Sequence, residues 1–333
     1  MKPRALGADQ TVAWALARQI NAELQKGQGP APGSVRWLFT LFEQDERFGR
    51  LAPSTKKDYL WLGRLLCGLP VGGVALGGFP AGALKPRHAD RLYEALCLDH
   101  GKATAHYACR YARRVWNWGG RRDHVDRRDN PWARMELQGI ASRKQRWSAE
   151  QIEAVIAAAR EMGWPSMALA VLLSWRATLR QGDVIGLTWT ALDQRQVGTR
   201  KTGEVIPLVA GAYPDLAAAL AATPRTGVQV VICEATKRPW RQDHFRHVFR
   251  EVAKAAGVPD DLQFRDLRAT GLTELADSGA DEIGLSSHGG HKTPQMRRRY
   301  VRFTPEQFER AAEARVAAEG RRNRRRNSGN DDP

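Results

Sequence analysis

Cysteine is scarce in this 333-residue chain: Cys67, Cys97, Cys109 and Cys233 are scattered, with no Cys-x-x-Cys pair. That pattern speaks against a disulfide framework and a cysteine zinc site, and it fits a reducing compartment. Long apolar runs are missing too. The longest, Met167 to Trp175, is too short to span a bilayer, and the first residues hold no charged stub followed by an extended apolar core. A soluble, cytoplasmic protein with no membrane partner is expected. There is no clustered Asp/Glu set to hold a metal, and His244 with His247, three apart on a predicted helix, lack the further ligands zinc requires. Packing or surface roles suit those two histidines, and neither a metal nor a cofactor is expected. No internal repeat is visible.

Acidic residues are in the minority, 36 against 52 Lys and Arg, which leaves a net charge of +16. A polyanionic partner follows, nucleic acid first and an anionic membrane surface as its bland rival. The hydrophobic fraction of 42% supplies enough apolar mass for two domains, each with its own core.

Val12, Leu16, Ile20 and Leu24 predict a short amphipathic helix, and the breakers from Gly27 to Gly33 set off residues 1–30 as an N-terminal arm. Residues 31–133 read as a compact all-helical bundle. Trp37, Leu38, Leu41 and Phe42 form one stripe, a helix starts at Ser54 to Asp58 and runs to about Cys67, and Lys85 to Leu98 and Lys102 to Trp118 add two more. On the last of these, Tyr107, Tyr111, Val115 and Trp118 share a face suited to core packing, with base stacking by the aromatics as the alternative. Arg110, Arg113, Arg114 and Arg121 gather beside it, either as solvated surface or as a phosphate-binding face. The bundle closes near Asn130-Pro131. The polar stretch Gln138 to Arg146 has little to pack, so residues 134–147 read as a linker.

Ser148 and Gln151 form a capping box that opens the second domain, residues 148–303. Its first part is helical. Val197, then the turn Lys201 to Glu204, then Val205, Ile206 and Leu208 predict a hairpin, and Val228 to Cys233 a third strand. Helices resume at Gln242 to Ala256 and Asp266 to Asp277. Thr304 to Gln307 starts another in residues 304–333, which end in an arginine-rich tail, Arg321 to Arg326, read as unstructured until it meets an anion.

Four motifs stand in order along this half: Leu179-Arg180-Gln181-Gly182-Asp183; Lys201-Thr202-Gly203; Arg265-Asp266-Leu267-Arg268-Ala269-Thr270; and Gly290-His291 with Tyr300 nine residues on, flanked by Arg297, Arg298, Arg299 and Arg302. Singly, each reads as an ordinary surface or packing residue. Together they resemble the tyrosine recombinase (phage integrase) family. The chain departs from that pattern at Ala177-Thr178, where Thr-Gly is usual, at Asp183 in place of Glu, and at Arg265 in place of a histidine. An arginine holds an anion but does not trade protons near neutrality.

The resemblance implies a mainly α fold with a small antiparallel sheet (α+β), arranged as a two-domain clamp of a helical core-binding (SAM-like) domain and an integrase-type catalytic domain. It implies attack by Tyr300 on a phosphodiester, giving a 3′-phosphotyrosyl intermediate with a free 5′ hydroxyl. A phenol has a pKa of about 10, so surrounding cations must ease its ionisation. Arg180 and Arg268 would clamp the non-bridging oxygens with Arg265 as third donor, Lys201 would protonate the leaving oxygen, and His291 would bind phosphate or take the tyrosine proton. Arg110, Arg113, Arg114, Arg121, Arg298 and Arg299 are the expected DNA contacts. The expected partner is a double-stranded recombination site on a mobile element, held by a homo-tetramer with accessory DNA-bending or directionality factors. Three rivals remain: a type IB topoisomerase or resolvase, a non-catalytic DNA-binding regulator retaining the fold, and a basic protein of RNA metabolism.

Overall fold

The computed structural model describes residues 29–141, 143–200, 203–208, 210–290, 301 and 304–328, with only the backbone for 318–328. The predicted helix at residues 9–25 lies outside the described residues. The chain divides into two compact units between Ala141 and Ser142.

In the N-terminal unit, α1 (Val35–Gln44) is capped by Ser34, whose hydroxyl accepts from Trp37 N at 3.2 Å, and α2 (Glu46–Gly49) follows at once. The stripe of α1 that faces inward is Val35, Leu38, Phe39 and Phe42, while Trp37 and Leu41 sit at its edge. α3 (Pro53–Gly68) begins with proline at its first position, where no amide donor is needed. The unit is not all-helical: β1 (Pro70–Val71) and β2 (Val74–Ala75) form a small antiparallel hairpin whose Val71 and Val74 point into the core. The two helices expected next follow end to end within α4 (Pro86–Gly120) and are divided at Gly101 (φ 78°, ψ 158°), a conformation that only glycine enters without strain.

On α4 the predicted packing face holds for Tyr111, Val115 and Trp118, but Tyr107 is 61% exposed. Ala105 and Ala108 take the buried positions in that turn, rotating the face away from Tyr107. Asn130 closes the unit by bonding Arg113 O, Asn117 and Trp132 N, which fixes the fully buried Trp132.

The C-terminal unit is built around α6 (Pro165–Trp175), the longest apolar run of the sequence and buried on every side. α5 (Ala149–Glu161), opened by the Ser148–Gln151 capping box, packs along it. The chain continues through α7 (Gln181–Gly186) and α8 (Trp189–Asp193) into an antiparallel hairpin, β3 (Gln196–Gly198) with β4 (Val205–Pro207), in register Val197 to Ile206. After α9 (Pro214–Ala221), the third strand shrinks to β5 (Ile232–Cys233), paired with β6 (Arg238–Pro239). Val228 to Val231 instead lie against the α7–α8 connection, with Trp189 N donating to Val228 O and Val230 N to Leu187 O.

α10 (Gln242–Ala255) and α11 (Phe264–Asp277) complete the core, and α12 (Glu282–Gly289) ends in a left-handed cap at Gly290. α11 crosses α6 so closely that a Cβ at Gly271 would fall 2.0 Å from Trp175 O. The last helix, α13 (Pro305–Ser328), carries the backbone of Arg321 to Arg326, where the sequence suggested an unstructured tail. His244 packs against Trp164 and Trp240, with Nδ1 3.9 Å from Cys233 Sγ. Among the described residues no group of three His, Cys, Asp or Glu side chains is placed to hold a metal ion, and no helix is long and apolar enough to cross a membrane.

Residues 143–147 are no loose connector. Arg143 grips Asp266 with two bonds of 3.1 and 2.6 Å and also donates to Asp261 O, while Trp147 N donates to Thr270 Oγ1 at 3.0 Å. The segment is a strap along α11, and its tryptophan is 2% exposed. Sequence composition suggested nothing to pack there because its partners lie more than a hundred residues downstream.

Candidate active site

The first and third motifs, together with the described residues at the edges of the second and fourth, converge in the C-terminal unit through a small set of bonds. Thr178 adopts a left-handed conformation (φ 49°), costly for a β-branched residue, which aims the chain into α7 with Arg180 as its N-cap. Its hydroxyl donates to His288 O at 2.8 Å, and its own carbonyl accepts from Arg268 Nη1. Arg268, 3% exposed, also donates from Nη2 to Gly289 O. The turn before Arg180, the middle of α11 and the end of α12 are thereby fastened together.

Asp183, one turn into α7 and 3% exposed, joins the hairpin to this group. Its Oδ1 accepts from Arg200 N at 2.8 Å, and its Oδ2 lies 3.7 Å from Arg180 Nη1. The hairpin turn closes through Gly203 N to Thr199 O and Thr199 N to Glu204 O. At the far end, a Cβ at Gly290 would lie 3.1 Å from Ile206 Cγ2, so the residue just before His291 abuts the strand that leaves the turn.

Arg180 carries the unusual electrostatics. Its side chain is only 16% exposed, yet Nε and Nη1 have no hydrogen-bond partner among the described residues, and 3.7 Å to Asp183 is an ion pair without a hydrogen bond. A largely buried guanidinium with donors unanswered is held at a cost that an incoming anion would repay. Arg265, at the second position of α11, is exposed and forms no ion pair or hydrogen bond among the described residues. Lys201, His291 and Tyr300 lie outside the described residues, as do Arg298 and Arg299. Two participants escaped the sequence reading: Arg143, hidden by its place in a linker, and His288, whose ring burial holds its pKa below the ordinary 6.5. The nearby second histidine in His288-Gly-Gly-His291 was the available signal.

The arginines of α4 belong to the other unit. Arg110, Arg113, Arg114 and Arg121, joined by Arg47, line a cleft of about 330 Å³ floored by Phe42 and Trp118. Arg110, Arg114 and Arg121 are exposed, whereas Arg113 is half-buried and donates to Trp132 O at 2.6 Å.

Residues 145–307 match the model of the phage integrase family. Among solved structures, a lambda integrase tetramer bound to a Holliday junction is similar over 90% of this chain and 89% of that one, with 18% identity and a TM-score of 0.69. A lambda integrase dimer bound to a core site matches over 78% and 95%, with 16% identity and a TM-score of 0.66. The Tn1549 transposon integrase in complex with circular intermediate DNA matches over 84% and 99%, with 15% identity and a TM-score of 0.68. No curated protein matches the chain. At such identities the likeness establishes the fold: mainly helical, with a few short antiparallel strands. Residues 145–307, which span all four motifs, form a domain of the phage integrase, or tyrosine recombinase, family.

Proposed function

We propose that this protein is a site-specific DNA recombinase that cuts and rejoins duplex DNA through a 3′-phosphotyrosyl intermediate for integration or excision of a mobile element. The observation that carries the reading is the largely buried Arg180 guanidinium with unanswered donors, set where the α7, hairpin, α11 and α12 segments meet. A scissile phosphate is the anion it suits, because a guanidinium fork can bond two non-bridging oxygens at once.

Arg180 takes the first grip. Arg268, oriented by its bonds to the Thr178 and Gly289 carbonyls, takes the second. Arg265 supplies the exposed third cation. Tyr300 attacks phosphorus, and its proton passes to His291 or to the phosphate. Lys201, next in sequence to Arg200, whose amide donates to Asp183, gives a proton to the departing 5′ oxygen, and the resulting ester keeps the bond energy for religation. Strand exchange between two duplexes calls for a tetramer, and the exposed Phe308 and Val316 of α13 are the apolar surface available for a neighbouring subunit. The basic cleft on α4 suits the DNA backbone.

The test is covalent trapping on nicked suicide substrates from the encoding element, comparing wild type with Tyr300→Phe on denaturing gels. A protein–DNA adduct with the wild type alone is the expected result. Religation to the original partner only would favour a topoisomerase or resolvase. Tight duplex binding without any adduct would favour a non-catalytic regulator, a reading to which the exposed Arg265 in place of a histidine lends its weight.

A further inference from the structure

Asp277, the last residue of α11, gathers three segments that are remote in sequence. Its Oδ1 accepts from Thr304 Oγ1 at 2.6 Å and from Gln307 Nε2 at 2.8 Å, both at the start of α13. Its Oδ2 accepts from Arg146 of the strap at 2.9 Å. Arg310, one turn further along α13, donates to Asp277 O and Ala276 O, so a cation closes the carbonyl end of α11. The first turn of the C-terminal helix is therefore seated in cis, by polar groups, while its apolar Phe308 is 80% exposed.

We propose that Asp277 is a positioning residue that seats α13 on α11 and makes this seat depend on the strap through Arg146. The inference rests on the recombinase reading and deepens it. Tyr300 precedes Thr304 by four residues, so the covalent chain confines it to within about 14 Å of the Thr304 Cα. Whatever fixes Thr304 on α11 thus fixes the range of the nucleophile relative to Arg268 on the same helix. Arg146 supplies the positive charge beside the carboxylate. Removing it leaves Asp277 to bond Thr304 and Gln307 without a counter-ion from the strap, which loosens a seat more than a hundred residues away in sequence.

The experiment uses the full-length protein with two readouts: hydrogen exchange of amides in residues 304–310, and the rate of adduct formation at saturating protein on suicide DNA. The variants are Thr304→Val, Thr304→Ser, Asp277→Asn and Arg146→Met, with DNA affinity measured for each. A charge-assisted hydrogen bond is worth roughly a factor of ten or more, so Thr304→Val and Arg146→Met should each speed exchange about tenfold. The same two variants should slow adduct formation with DNA affinity unchanged, and Thr304→Ser, which keeps the hydroxyl, should restore both. Should Asp277→Asn fail to fold, the Thr304 pair carries the test alone. Unchanged exchange in Thr304→Val overturns the seat. Unchanged exchange in Arg146→Met overturns its dependence on the strap. Faster exchange with a normal adduct rate overturns the positioning role. A wild type that binds DNA and never forms an adduct fells the recombinase reading and the positioning role with it, while the exchange data still decide the seat.

Discussion

At the scale of single residues, Thr178 concentrates the local conflict of the site. A β-branched side chain in the left-handed region is disfavoured by roughly 1–2 kcal/mol, and it is retained where its hydroxyl reaches the His288 carbonyl. The glycine usual at this position in the family would adopt the conformation without strain and would lack the hydroxyl. Thr178→Val keeps the branching and removes only the bond, so it should cost about 1–3 kcal/mol in urea unfolding through the unanswered carbonyl. Equal stability of Val and Thr at this position would show that water replaces the hydroxyl. Arg180, two residues on, was legible from its motif, whereas the conformation that presents it was not: the strain is set by helices that arrive a hundred residues later.

At the scale of elements, α11 supports the site with both faces and both ends. Gly271 admits the α6 backbone, Arg268 reaches the start of α7 and the end of α12, and the strap bonds Asp266, Thr270 and Asp277. The end of α12 also imparts a pH dependence. Burial lowers the His288 pKa in the folded protein below the ordinary 6.5, so on acidification the unfolded chain takes the proton first. Stability from this group is complete above about pH 6.5 and declines as pH falls through and below that value. Asp277, held below its usual range by Thr304, Gln307 and Arg146 against the opposing effect of burial, acts in the same direction near and below pH 3.8. Glu274, raised by burial, opposes them as pH falls toward 4.5. The thermal midpoint should therefore fall between pH 7 and pH 5, and His288→Asn should flatten that fall, since the bond to Thr178 uses only the main chain. A calorimetric pH series checks this.

What the sequence could convey about these elements depended on the range of the forces involved. Capping at Ser148, the hairpin around Gly203 and the helix start at Thr304 are local, and each was legible. The outward turn of Tyr107 and the shrinking of the third strand to Ile232–Cys233 follow from packing partners, which periodicity does not contain. The strap was missed for the same reason: polar side chains read as solvated until a buried carboxylate is found opposite them.

At the scale of the whole molecule, the charge of +16 is unevenly used. Arg143, Arg146 and Arg268 are engaged within the fold, so the cations open to a polyanion are those on the surface, including Arg110, Arg114 and Arg121. Each phosphate contact releases counter-ions, so Arg110→Ala, Arg114→Ala and Arg121→Ala should each lower the slope of log affinity against log salt by about one and weaken binding across sequences alike. Arg113→Ala should instead lower stability, because its Nε holds Trp132 O. Fluorescence anisotropy over a salt series separates the two cases.

The family match opens at residue 145, yet the fold of that unit reaches back to Arg143. A gene fragment cut where the family pattern begins would strand the Asp266 carboxylate, 4% exposed, without its counter-ion at the first turn of the helix that carries Arg268. Two residues of apparent connector thus decide where this protein can be divided, and any chimera that exchanges its two units has to take its seam on the N-terminal side of them.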